Sequence, residues 1–169
     1  MPQTYTPIAT TTLGSAAASY TFTSIPQTYT DLVMIVQATQ TAGPHQGKIG
    51  VGNGSIDTGS NYSQTYLYGN GSTATSQRLS NQTYWIADYL AAPGVSGEYN
   101  VAIYHIMNYS NTTTFKTMIN RAGKASNGTD ALVSLWRSTS AINQILYGVT
   151  ASTLAAGTII TLYGIKAGS

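Results

Sequence analysis

Few groups in this 169-residue chain can move a proton: five carboxylates (Asp31, Asp57, Asp88, Glu98, Asp130), two imidazoles (His45, His105) and no thiol. A pair such as Asp88 with Glu98 has the residue types of a glycosidase, one carboxyl to protonate the leaving oxygen and one to attack or to activate water. The plainer reading makes both of them loop and cap residues. No G-x-S-x-G elbow singles out a serine nucleophile. His45 falls in the turn AGPHQG and His105 on an apolar strand sixty residues on, so they form no metal motif, and His105 reads as a hydrogen-bonded core or interface residue. The run GVGNG (Gly50 to Gly54) lacks the helix that phosphate binding needs, and Asp57-Thr58-Gly59 lacks the carboxylate spacing of a calcium loop. No catalytic, cofactor-binding or metal-ligating residue is assigned, and no enzymatic activity is expected.

Charge narrows the binding options. Only 7% of residues are charged, and the net charge of +2 is spread over Lys48, Arg78, Lys116, Arg121, Lys124, Arg137 and Lys166 without a cluster that would track a phosphate backbone. Nucleic acid is therefore not an expected partner. No apolar run approaches the length of a spanning helix, and the amino terminus lacks the pattern of a signal peptide, so no membrane association is expected. Seven N-x-S/T sequons (Asn53, Asn61, Asn70, Asn81, Asn108, Asn111, Asn127) read as turn chemistry in a chain rich in Asn, Gly, Ser and Thr. What remains is thirteen tyrosines and two tryptophans. Tyr62, Tyr66, Tyr68, Tyr84, Trp85 and Tyr89 lie close together in sequence and are candidates for an interface, because tyrosine offers broad contact area with a polar tip.

Period-two alternation runs through most of the chain. Val101, Ile103, His105 and Met107 share one face while Ala102, Tyr104 and Ile106 share the other, and Ile159 to Ile165 repeats the pattern. Further strands are predicted at 19–23, 31–40, 48–52, 62–69, 85–90, 112–121, 131–138 and 142–150, about ten in all, separated by Gly, Asn, Pro and Ser. Leu32 to Val36 is apolar on both faces, which places it centrally, beneath a facing sheet and a second cover. The fold class that follows is all-β: one antiparallel β-sandwich of jelly-roll type over residues 14–169, preceded by an extended arm over 1–13.

Two sequence echoes bear on that organisation. PQTYT occurs at Pro2 to Thr6 and again at Pro26 to Thr30, but the flanks differ. The second copy reads as a turn launching the central strand and the first as an exposed arm whose Tyr5 and Ile8 dock on a neighbour. LYG occurs in three predicted strands, at Leu67, Leu146 and Leu162, and the last two are expected to pair as a closing hairpin.

The segments Thr10 to Gln37, Tyr68 to Arg78, Ile106 to Thr117, Leu135 to Ile145 and Leu154 to Ile165 resemble, in order, small virion proteins of tailed bacteriophages. The resemblance implies a jelly-roll capsid decoration (cement) protein or a related tail-fibre or spike module, and it carries no catalytic residues. A chain that opens at Met1 and closes soon after LYGIKAGS leaves little room for a fibre shaft, which favours decoration. The expected partners are then the major capsid protein and further copies of this chain in a homotrimer, on the outer surface of the capsid. Tyr5, Ile8 and the tyrosines around Tyr66 are the expected contacts.

Overall fold

The computed structural model describes residues 4–89, 92–95 and 97–166. Their strands, in chain order, are β1 (Tyr5–Thr12), β2 (Ser19–Phe22), β3 (Asp31–Ala38), β4 (Gly47–Asn53), β5 (Ser55–Ile56), β6 (Tyr62–Gly69) and β7 (Ala74–Gln82). These are followed by β8 (Trp85–Ile86), β9 (Asn100–Met107), β10 (Lys116–Lys124), β11 (Gly128–Trp136), β12 (Gln144–Val149) and β13 (Ile159–Ile165). One sheet has eight strands in the order β1, β13, β3, β9, β10, β11, β6, β7; the other runs β2, β12, β4, with β5 and β8 both paired to the far edge of β4. Every strand pairing is antiparallel.

The winding is that of a jelly roll. β1, β13, β3 and β9 form one layer and β2, β12, β4 and β8 the other, and in this set of eight the chain changes layer at every step except β4 to β8. Two insertions widen the larger sheet: β6 and β7 between β4 and β8, and β10 and β11 between β9 and β12. The expected all-β sandwich is thus the observed architecture.

Alternation places the core between the layers. Leu32, Met34 and Val36 of β3, Tyr104 and Ile106 of β9, Met118 of β10 and Leu162 of β13 face Ile49 and Val51 of β4 and Ile145, Tyr147 and Val149 of β12, all of them buried. Each such aliphatic side chain contributes about 1.5–3 kcal/mol by leaving water. β3 is central as its doubly apolar run implied, with Val33 on its outer side also buried at 4% exposure.

Three expectations change on contact with the structure. The amino-terminal segment is extended, but from Tyr5 to Thr12 it is the edge strand of the large sheet, paired with this chain's own β13, with a bulge between Pro7 and Ala9 where the missing proline N–H costs nothing. Ile8, at that bulge, packs against the core. Second, the LYG strands β12 and β13 do not form a hairpin: they lie in different layers, joined across the sandwich end by a loop in which Leu154 bridges both Ala17 and Gln40. The two copies also face opposite ways, since Tyr147 is buried in β12 whereas Leu162 is the buried residue in β13. Third, of WIADYL only Trp85 and Ile86 are strand, and Leu90 lies outside the described residues. The second PQTYT is the turn it was read as. Gln27 Nε2 donates to the carbonyls of Ile25 and Ile142, and Tyr109 Oη donates to the carbonyl of Pro26, which fixes the entry into β3.

Candidate interaction surface

The outward face of the large sheet is built by the same alternation that builds the core. In β9 the outward residues are Val101, Ile103, His105 and Met107; in β10 they are Thr117, Ile119 and Arg121; in β11, Ala131, Val133 and Leu135; in β6, Ser63, Thr65 and Leu67. Register sets them in rows. His105, Ile119, Val133 and Thr65 are directly opposite one another across four strands, and Ile103, Arg121, Ala131 and Leu67 form the next row. Ile103, Ile119, Val133 and Leu67 are 43%, 44%, 47% and 61% exposed. A contiguous aliphatic patch on the open face of a sheet is the feature that marks a contact surface, where isolated exposed residues would not.

Two shallow depressions flank Arg121 on this face. One, of about 480 Å³, is bordered by Tyr5, Val33, Ile103, His105 and Ile119; the other, of about 510 Å³, by Leu67, Ala74, Ser76 and Ala131. The exposed Arg121 borders both. At the β3 side, His105 Nε2 lies 3.1 Å from Asp31 Oδ2, and Asp31 Oδ1 accepts the Asn108 N–H at 2.7 Å. His105 is thus half-buried and hydrogen-bonded, as its strand position implied.

Most of the tyrosine cluster is elsewhere. Tyr62, Tyr66 and Trp85, expected at an interface, are at most 1% exposed. Tyr62 stands edge-on to Trp85 with centroids 5.5 Å apart, and its hydroxyl accepts from the Val51 N–H and shares its one proton between the carbonyls of Val51 and Asp57, each 2.9 Å away. Trp85 Nε1 donates to the Leu135 carbonyl, and Tyr66 Oη donates to Gln77 Oε1. Burial, aided by Tyr89, Tyr68 and Asp130, pushes the Tyr66 hydroxyl up to about 12. Their even spacing on β6 put them on the inward phase, so contact passes to the odd-numbered neighbours. Tyr68 and Tyr89 are half-buried with rings 4.7 Å apart, and Tyr84 is half-buried on the other sheet beside Lys48 and Leu146. Of the expected contacts, Tyr5, 55% exposed and edge-on to Tyr163, borders the aliphatic face at the first depression and Tyr68 borders it at the second. The residues missed had a signal: both phases of Val101 to Met107 are apolar, which a one-sided strand does not need.

The carboxylates do not converge on an open cleft. Asp88 is fully buried: Oδ1 accepts the Gly47 N–H at 2.7 Å, Oδ2 accepts from Asn100 Nδ2 at 3.1 Å, and the hydroxyls of Tyr104 and Tyr147 lie 3.5 Å from Oδ2. Burial, reinforced by Asp130, raises this carboxyl to about 7 against the pull of those donors. Glu98 instead is half-buried and accepts from Ser126 Oγ, so the pair considered for glycoside hydrolysis is not brought together. Asp57 accepts from Trp136 Nε1, Asn61 Nδ2 and the Gly59 N–H; burial opposes ionisation, but the three bonds together hold it below the usual carboxylate range. Among the described residues no three His, Asp or Glu side chains gather as a metal site.

No protein-family model matches the chain, and no curated protein does. Among solved structures, it is similar to a protein of unknown function from Shewanella oneidensis, 12% identical over 98% of this chain and 77% of that one, with a TM-score of 0.33. An alginate lyase variant in complex with alginate tetrasaccharide is 9% identical over 95% of this chain and 81% of that one, at 0.34. Scytalido-glutamic peptidase is 8% identical over 94% and 66%, at 0.25. These likenesses are too distant to bear on the chemistry of this chain.

Proposed function

We propose that the chain is a structural virion protein of a tailed bacteriophage, a capsid decoration protein that braces the head by bridging major capsid subunits on its outer surface. It works by contact and not by turnover. The observation that carries the reading is the aliphatic face centred on Ile119, bare in the single chain and backed by a rigid two-layer core. The sequence resemblance supplies the virion setting. Self-association belongs to the same proposal.

The alternative, a tail-fibre or spike module that binds receptor or carbohydrate, is less well supported by this face. Sugar rings stack on aromatic planes, whereas the residues in register with Arg121 are Ile103, Ala131 and Leu67, and the aromatic rings of Tyr5 and Tyr68 lie only at the borders of the face. The test is incubation of purified chain with undecorated heads, followed by quantitative gel and thermal challenge. Saturable binding at hundreds of copies per head, with raised heat resistance, is the expected result. Binding confined to tails, or a few tens of copies at most, overturns it.

A further inference from the structure

We propose that the outward face of the large sheet is where two copies of this chain pack together, sheet against sheet, about a twofold axis. The inference rests on reading that face as a contact surface and names its occupant.

Size is the first argument. The seven strands from β13 to β7, at about 4.8 Å spacing and about seven residues of 3.3 Å each, present roughly 770 Å². A stable interface of standard size takes about 800 Å² from each partner. Sheet faces also pack on sheet faces at about 10 Å, so a second copy supplies a surface of matching shape without reorganisation.

Composition is the second. The centre holds Ile103, Ile119, Val133 and Leu67, while Thr65 and Thr117 lie about it, which is the apolar core and polar surround of an interface between identical chains. The cations on this face are Arg121 and Arg78, too few to favour a phosphate backbone.

Charge placement is the third. With the axis along the row His105, Ile119, Val133, Thr65, the centre meets its own copy: Ile119 on Ile119, Val133 on Val133. Arg121, one row off the axis, then meets the row of Thr117 and Met107 instead of another Arg121, and the like charges that do meet, Arg78 on Arg78, fall at the edge strand β7, where both guanidiniums stay in water. The His105 ring that falls on the axis already has Asp31 beside it. The resemblance implies trimers; a face that is complementary to itself makes pairs.

Sedimentation equilibrium of the full chain between ~1 and ~100 μM is expected to show a monomer–dimer equilibrium. I119K and V133K each put an ammonium at the apolar centre and are expected to weaken pairing by about thirtyfold or more. An unchanged Tm under dilute, monomeric conditions shows that these outward changes leave the fold intact; should either fail to fold, I119T and V133T take their place. A dimer lost in these variants supports the proposal. A monomer at ~100 μM, a trimer, or a dimer indifferent to the substitutions overturns it. The same samples separate this from the virion reading. A dimer that binds no particle keeps the pairing and removes decoration, whereas a monomer that decorates particles and loses occupancy with I119K gives the face to the coat protein and ends the pairing.

Discussion

The ring of Tyr29 fills the space that a Cβ on Gly164 would need: the first carbon of any side chain there would fall 2.3 Å from Tyr29 Cγ. Gly164 is paired with Leu32 on one side and Thr6 on the other, so the backbone has no freedom to give way, and the glycine of the last LYG is explained by close approach and not by a turn. Gly164→Ala is expected to destabilise the fold by about 1–3 kcal/mol, read as a lower urea midpoint. Adding Tyr29→Ala should recover part of that loss. Additive losses in the double variant would show that the two residues do not compete for this space.

Asp88 makes stability fall with rising pH. Its folded-state value of about 7 lies above the unfolded 3.8, so the folded chain holds the proton more tightly. The favourable contribution is complete below about 3.8, declines as pH rises towards about 7, and is gone above it. Thermal melts at pH 5 and pH 8 should show a drop in Tm that Asp88→Asn largely removes. An equal drop in both proteins would assign the slope to other groups.

Asp57 acts in the opposite direction. Its carboxyl is held below its ordinary value, so its contribution is present above 3.8 and fades as pH falls through the folded-state value. Trp136→Phe removes the donor to Oδ2, so it should lower stability at pH 8, where that contribution is fully present, and shift acid unfolding to higher pH. The midpoint of an acid titration followed by circular dichroism measures it.

Tyr62 and Leu67 lie on one strand with opposite fates. Tyr62→Phe strips a hydroxyl that makes three hydrogen bonds in the core and should cost about 1–3 kcal/mol. Leu67→Ser, at a side chain 61% exposed, should move stability by no more than about 0.5 kcal/mol in the isolated chain. Urea unfolding of both variants decides whether the inward and outward phases of β6 are correctly assigned.

The large architecture was legible because burial writes alternation into sequence. β3 and β9 stood out, and β13 with them, since each must present apolar residues to the core every second position. β7 was not legible: ATSQRLSNQ is an edge strand, exposed along most of its length, and nothing selects an apolar phase there. β1 was read as an arm because its Thr-rich run carries little core signal and its pairing partner lies at the other end of the chain. For the tyrosines, alternation alone does not say which phase faces the second layer. Tyr62 and Tyr66 went inward because Trp85, contributed by the smaller sheet, closes over β6.

The strands that carry Ile119, Val133, Leu67 and Arg121 are all additions to the eight that complete the jelly-roll winding. Apart from Ile103 on β9, the contact patch is therefore separable from the scaffold: the outward letters of β6, β10 and β11 are free to drift towards a different neighbour while the inward ones hold the winding in place. A lineage built on this plan would diverge fastest on the exposed phase of its inserted strands, and retargeting such a chain by design would need changes to a handful of side chains and none to its backbone.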